Sequence, residues 1–241
     1  GRVVRRSKAG RRTRPPGRSQ QSRAVGAGGH RCAPVASAAV RNETRDDAGR
    51  LVMVEADPAG PDDERVALDA GLVLVREVLQ LRRPLPAEPP PPLAVRAFRP
   101  GADDAAFLAV NNRAFAWHPD QSGWTADDLR RHEAEPWFDP DGFLLHERDG
   151  RLAGFCWTKV HPATPKDPAL GEIHVIATDP DFAGIGLGRA LTLAGLDHLA
   201  RRGLTVGMLH VEGTNAAARG LYEKLGFTLH QAHRWWAPEG T

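Results

Sequence analysis

Apolar and polar positions alternate over Leu93-Ala-Val-Arg-Ala-Phe98, the period of a half-buried strand, and apolar residues run together at the start of Phe143-Leu-Leu-His-Glu147 and of Leu152–Val160. The last two flank Asp149-Gly150, a favoured two-residue turn, and read as a hairpin. Glu172-Ile-His-Val-Ile-Ala177, Leu204–Val211 and Phe227–Trp236 read as further strands. Helical spacing fills the intervals. Asp103 or Asp104 caps a helix through about Ala114, and Thr125, with Asp128 three residues on, opens another to about Glu133. A long amphipathic helix begins within Asp179–Thr192 and runs to about Arg202. A short one over Ala216–Leu225 is closed by Gly226. From residue 93 the order is β-α-α-β-β-β-α-β-α-β, an α/β pattern.

Upstream, Gly49–Glu55 predicts a strand, Asp57–Pro61 a turn, and Asp62–Ala70 a short helix ended by Gly71. Leu72–Leu81 reads as a strand, although its continuous apolarity also suits a helix. Pro84–Pro92 is Pro-rich, stiff and extended, and predicts a linker at a domain boundary. Residues 1–49 predict no element. An internal echo adds to this layout. Met53-Val-Glu55, a turn, a helix, Ala70-Gly-Leu72 and an apolar strand resemble His210-Val-Glu212, a turn, a helix, Leu225-Gly-Phe227 and a strand, at an offset of about 155 residues. Residues 50–83 thus read as the end of a first copy of the domain at 93–241. That copy lacks a glycine-rich loop and has Ala67 where Tyr222 stands, so it is expected to be catalytically empty.

Charge changes the picture only at the front. Lys and Arg number 32 and Asp and Glu 30 overall, but residues 1–31 carry ten bases and no acid. The rest is acidic. The basic tail has no aromatic residue for stacking on bases, so its composition predicts a disordered extension rather than a nucleic-acid-binding arm. No apolar run approaches the ~20 residues that span a bilayer, and no apolar segment after the tail resembles a signal peptide. Two cysteines, Cys32 and Cys156, make neither a disulfide framework nor a zinc cluster, and the histidines lack metal-site spacing. The expectation is a cytoplasmic, metal-free monomer.

The chemistry concentrates around Asp179–Thr192. Gly184, Gly186 and Gly188 keep Cβ atoms out of a strand-to-helix turn, so amides at a helix N-terminus can approach an anion such as pyrophosphate. Downstream, Asn215 caps the helix that carries Tyr222, a phenol able to protonate a leaving thiolate. Glu172 opens the strand into the loop and is a candidate base or ammonium site. His174 and His210 are lesser candidates for a base. Lys159 and Asp120 are candidate substrate contacts, and Trp117 and Trp124 candidate pocket walls. Cys156 has no evident histidine partner, which favours direct transfer over an acyl-enzyme.

Strand order, the glycine loop and Asn215…Tyr222…Leu225-Gly-Phe227 together resemble the GCN5-related N-acetyltransferase family over residues 93–236. The resemblance implies that family's fold, a mixed, mostly antiparallel sheet flanked by helices, preceded here by the remnant of a second such domain. It also implies acetyl-CoA as co-substrate. Narrower segments resemble the family's mycothiol-forming branch: Asn111–Phe115, His118–Gln121, Gly123-Trp124, Trp137–Pro140, Gly154–Pro162, Gly171-Glu172, Leu187–Leu193 and Glu77–Pro84. Those members have two tandem domains, the second being active, and acetylate the cysteinyl amine of a cysteine–glucosamine–inositol conjugate. Carried over, Asp120, Lys159, Glu172 and His210 fall at substrate-binding positions, with Glu172 also the base and Tyr222 the acid. Ile176, Ala177 and Thr178 fall on a strand that contacts acetyl-CoA. Ala183, Gly184, Ile185, Gly186, Leu187, Gly188 and Arg189 form its pyrophosphate loop, with Ala183 where the family has Gln or Arg. Asn215, Ala216, Ala217, Ala218, Arg219 and Gly220 form a further CoA-binding segment. Asp120 stands where Glu is expected and His210 where Tyr is. Acetylation of another small amine or a protein N-terminus, or a non-catalytic acyl-CoA-binding module, are the alternatives.

Overall fold

The computed structural model describes residues 40–45, 47, 51–118 and 121–239. Their elements are β1 (Val40–Arg45), β2 (Leu51–Ala56), α1 (Pro61–Asp69), β3 (Leu72–Pro84), β4 (Arg96–Ala97), α2 (Asp104–Ala114), α3 (Ala126–Glu133), β5 (Phe143–Arg148), β6 (Arg151–His161), β7 (Leu170–Thr178), α4 (Leu187–Arg201), β8 (Val206–Glu212), α5 (Ala216–Lys224) and β9 (Thr228–Pro238). The strands form one sheet in the order β1-β2-β9-β3-β8-β7-β6-β5-β4. Every pairing is antiparallel except β7 with β8.

The front of the chain differs from expectation. β1 lies in a stretch with no predicted element. Its alternating Val40-Arg-Asn-Glu-Thr-Arg45 is polar, as an edge strand tolerates. The Pro-rich segment does not divide the chain into separate bodies, because β3 before it and β4 after it lie in one sheet. Leu85 N donates to Thr205 O at 2.9 Å, and Leu85, Ala87 and Leu93 pack on the main core. Arg83 and Arg189 both reach Glu88, tying the segment to the glycine loop. β3 is a strand because both its edges are taken, by β9 and by β8.

Two cores sandwich the sheet. Under α4 and α5 lie Leu79, Leu81, Cys156, Ile173, Leu191, Leu196, Leu209 and Val211. On the other face, under α2 and α3, lie Phe98, Phe107, Leu129, Phe143, Phe155, Trp157 and Val175. Phe143 stacks on Trp157 at 4.4 Å between ring centroids, and Phe107 meets Phe155 edge-on at 4.8 Å. Thr125 and Asp128 form the expected capping box of α3. Asp103 holds the N-cap position of α2, but its carboxylate does not cap. It takes Arg96 Nη1 at 2.7 Å and Nη2 at 2.8 Å, because a buried carboxylate is better satisfied by a guanidinium fork than by one amide.

Candidate active site

A bulge and a splay open the site. Trp157 pairs with Val175 and Thr158 with Ile173, which leaves His174 as the extra residue in β7. The bulge breaks the two-residue alternation, so Ile173 packs under α4 while Val175 faces the α2 side. β7 and β8 pair only from Gly171 to Ile173. Beyond that point they diverge, and a cavity of about 360 Å³ lies between them, lined by Glu172–Ile176, His210–Glu212, Asn215, Ala218 and Tyr222. Phe115, Trp117, His118 and Gln121 line it from the α2 side.

Glu172 is 6% exposed. Its Oε2 lies 2.7 Å from His161 Nε2 and 3.6 Å from His174 Nδ1, and its Oε1 lies 3.1 Å from His210 Nδ1. Burial works to raise its pKa, but the hydrogen bonds of His161, His174 and His210 outweigh it and hold the carboxyl well below the usual range. A carboxylate so stabilised stays ionised and can face a cation. It is a weak proton sink until the partner nitrogen becomes acidic.

Tyr222 lies on α5, whose N-cap Asn215 accepts from Ala218 N at 3.1 Å. Its ring is 7% exposed and packs edge-on against Phe227, and burial raises the phenol's pKa, so it keeps its proton. The glycine loop follows β7. Asp179 pins the preceding turn by accepting from Asp181 N, and Arg113 of α2 clamps both carboxylates. Gly184 and Gly186 have φ of 80° and 81°, and Gly186 is the N-cap of α4. The amides of Leu187, Gly188 and Arg189 therefore begin a helix with no carbonyl a turn behind them. Gly188 sits beside Thr178 and Leu221, which places the helix start next to the end of β7 and α5.

The expected residues do not all converge. Glu172, His174, Ile176, His210, Asn215, Ala218 and Tyr222 share the cavity wall. Ala177 is buried in the core beneath. Lys159 is paired with Glu172 across β6 and β7, yet its ammonium sits over the Trp137 ring at 4.2 Å and is not part of the wall. Trp124 stacks on His132 instead of lining the cavity. Asp120 lies outside the described residues. Cys156 is fully buried and its thiol is pushed up to about 12, which disqualifies it as a nucleophile. Among the described residues no group of three or more His, Cys, Asp or Glu side chains is arranged to hold a metal ion.

Sequence reasoning missed two sets of residues. His161 follows Lys159 by two on β6, so strand alternation could have pointed it toward Glu172. Arg76 and Val78 of β3 also line the cavity, and Arg76 donates to Glu212 Oε1 at 2.6 Å. The segment expected to be catalytically empty thus supplies some of the wall. Only the strand order reveals that.

Residues 110–227 match the sequence profile of the Acetyltransferase (GNAT) family. The chain is 54% identical over 171 residues to the mycothiol acetyltransferase of Thermomonospora curvata, covering 68% of this chain and 56% of that protein. It is 49% identical over 189 residues to that of Thermobispora bispora, covering 76% and 64%. The chain thus spans 56–64% of the length of these curated relatives. Among solved structures, a GCN5-related N-acetyltransferase from Sphaerobacter thermophilus superposes with a TM-score of 0.58 at 22% identity, covering 73% of this chain and 56% of that one. A tandem GNAT protein from the clavulanic acid biosynthesis pathway gives 0.53 at 15%, covering 74% and 58%. No described helix is long and apolar enough to cross a membrane. Sheet, splayed strands and glycine loop agree with the sequence match, and residues 110–227 resemble an acetyltransferase domain of the GNAT family.

Proposed function

We propose that the chain transfers an acetyl group from acetyl-CoA to a primary amine, the cysteinyl amine of a cysteine–glucosamine–inositol conjugate, and so forms mycothiol. The observation that carries this reading is the meeting of a buried carboxylate, Glu172, and a buried phenol, Tyr222, in one cavity between splayed strands. About half of the aligned residues are shared with mycothiol acetyltransferases, which supports this choice of amine.

The loop at 183–189 binds the pyrophosphate through its amides, and residues 215–220 flank it. Glu172 holds the incoming ammonium. The ammonium loses one proton to solvent, the resulting free amine attacks the thioester carbonyl, which makes that nitrogen far more acidic, and Glu172 takes the second proton. The C–S bond breaks and Tyr222 protonates the departing sulfur. Amide and free thiol are the products, so no acyl-enzyme is needed. The working unit is taken to be a monomer in the cytoplasm, where acetyl-CoA is supplied.

Residues 50–83 are read as the end of a first acetyltransferase-like copy. The sheet supports this. With an offset of about 155 residues, position 76 corresponds to 231 and 80 to 235. Gln80 pairs with Gln231 and Arg76 with Trp235, so the β3–β9 ladder maps onto itself when the copies are exchanged.

The test is thiol release from acetyl-CoA in the presence of the cysteinyl conjugate, beside glucosamine–inositol lacking cysteine, simple amines and a peptide N-terminus. Release with the conjugate alone is the expected result. Release with another amine only would overturn the substrate, and no amine-dependent release would overturn the enzyme reading.

A further inference from the structure

A row of polar side chains crosses four strands from the active-site carboxylate. Glu172 of β7, His210 of β8 and Gln80 of β3 stand side by side, opposite the face that packs on α4. Gln80 is directly opposite His210 in the β3–β8 ladder and opposite Gln231 in the β3–β9 ladder. Gln80 is only 8% exposed, so its amide must be satisfied within the protein. Arg82, two residues along the same face, donates Nε to Gln80 Oε1 at 2.8 Å. Arg82 is itself anchored by Asp167 of the β6–β7 loop, with Nη1 to Oδ1 at 2.6 Å and Nη2 to Oδ2 at 3.2 Å.

This chain of contacts has a direction. A guanidinium has no acceptor, so Gln80 must turn its carbonyl oxygen toward Arg82. Its amide nitrogen then faces His210 Nε2, at 3.3 Å, and an amide nitrogen can only donate. His210 Nε2 must be the acceptor and carry no proton. The ring's one proton is thereby on Nδ1, 3.1 Å from Glu172 Oε1.

We propose that Gln80 and Arg82 are positioning residues that lock His210 as its neutral Nδ1–H tautomer, so that His210 is a permanent donor to Glu172 rather than a base. A proton added at Nε2 would face the Gln80 NH₂ group, donor against donor. His210 therefore cannot accept the amine proton while Gln80 keeps this orientation, and the carboxylate is left to do so. The two positioning side chains come from β3, upstream of the Pro-rich segment. Only the effect on rate rests on the acetyltransferase reading, because the tautomer is a property of the resting protein.

Other groups face His210 and bear on its titration. They are Glu172 from β7, Glu212 on its own strand, Arg76 and Arg82 from β3, His233 from β9, and Asp57 from the loop after β2. Among the side chains of the described residues, it is Gln80 that hydrogen-bonds Nε2. A substitution there tests the lock directly.

The experiment is long-range ¹H–¹⁵N correlation of the imidazole rings in the whole chain, with the His210 signals assigned by their loss in His210→Phe. The neutral ring of the wild type is expected to show a protonated Nδ1 and an unprotonated Nε2. Gln80→Glu replaces the donor by an acceptor, and a proton is expected on Nε2 of the variant under the same conditions. If the variant also acetylates, its pH–rate profile moves while the KM for acetyl-CoA stays. A wild-type ring protonated at Nε2 would overturn the proposal without any variant. So would a folded Gln80→Glu protein whose His210 keeps an unprotonated Nε2. Both readouts stand whether or not the chain proves to acetylate an amine.

Discussion

Gly186 and Gly188 are two residues apart in the same loop, yet alanine should act on them in opposite directions. Gly186 has φ of 81°, and a Cβ built on it meets nothing within 4 Å. The cost of Gly186→Ala is therefore backbone strain alone, about 1–2 kcal/mol for an L-residue held in the left-handed region. For a domain of this size 1 kcal/mol moves the melting temperature by about 2–4 °C, so the unliganded variant should melt about 2–8 °C lower. If the loop relieves the strain by leaving its anion-binding shape, the same energy appears as a roughly 5- to 30-fold loss of acetyl-CoA affinity. Gly188 lies in the first turn of α4, and its Cβ would meet Leu221 at 3.8 Å and Thr178 at 3.9 Å, ordinary contacts. Gly188→Ala restricts the unfolded chain without strain and should stabilise the unliganded protein by about 0.4–1 kcal/mol. Its methyl group would nonetheless stand beside the helix start and weaken acetyl-CoA binding. Scanning calorimetry of both variants, followed by titration with CoA, separates the effects. A Gly186→Ala protein that melts with or above the wild type and also binds CoA as tightly would refute the left-handed loop.

Three further outcomes follow from the site. Glu172→Gln should lower kcat/KM for the amine by roughly 10²–10⁴ and move the pH optimum upward, because hydroxide from solution must then take the proton that Glu172 takes from the adduct; steady-state rates across pH check this, and an unchanged profile would remove Glu172 as base. Tyr222→Phe should slow turnover while acetyl-CoA binding by calorimetry stays near wild type, whereas loss of binding would make Tyr222 a packing residue. Asp103 is held well below the usual carboxylate range, chiefly by Arg96. A folded-state pKa below the unfolded one gives stability that is complete above the unfolded value of about 4 and is lost as pH falls below it. Asp103→Asn should therefore cost about 2–3 kcal/mol at pH 7, discounted for the partly exposed Arg96, and about 1 kcal/mol less near pH 3, as urea titrations at the two pH values would show.

The features of the fold that follow local rules were legible in the sequence. The capping box at Thr125, the Asp149-Gly150 hairpin and the Asn215 cap are set by neighbours a few residues away, and all three form. The glycine loop was legible for the same reason. What escaped depends on contacts between distant segments. Lys159 has the right strand position but is drawn to Trp137, a choice set by tertiary packing. Asp103 sits at a helix start but serves Arg96. The placing of β3 between β9 and β8 has no local signal, since an apolar run followed by prolines reads equally as the end of a separate domain. With β3 assigned to another domain, Arg76 and Gln80 could not be seen as neighbours of the site.

The true place of β3 matters because of how the cleft is held open. Two parallel strands that diverge after Ile173 leave backbone groups on their facing edges unpaired, which favours closing the gap. They stay apart only if each is committed on its other edge. β7 is paired with β6 from Leu170 to Thr178. β8 is paired with β3 from Val206 to Glu212, past the point where it leaves β7. β9 cannot substitute, because it lies on the far side of β3. The strand upstream of the Pro-rich segment is therefore the clamp that fixes β8, and with it His210 and Glu212, at the distance the cavity requires. Removal of residues 40–83 should abolish acetyl-CoA binding, measured by calorimetry, even though the glycine loop, Glu172 and Tyr222 all remain.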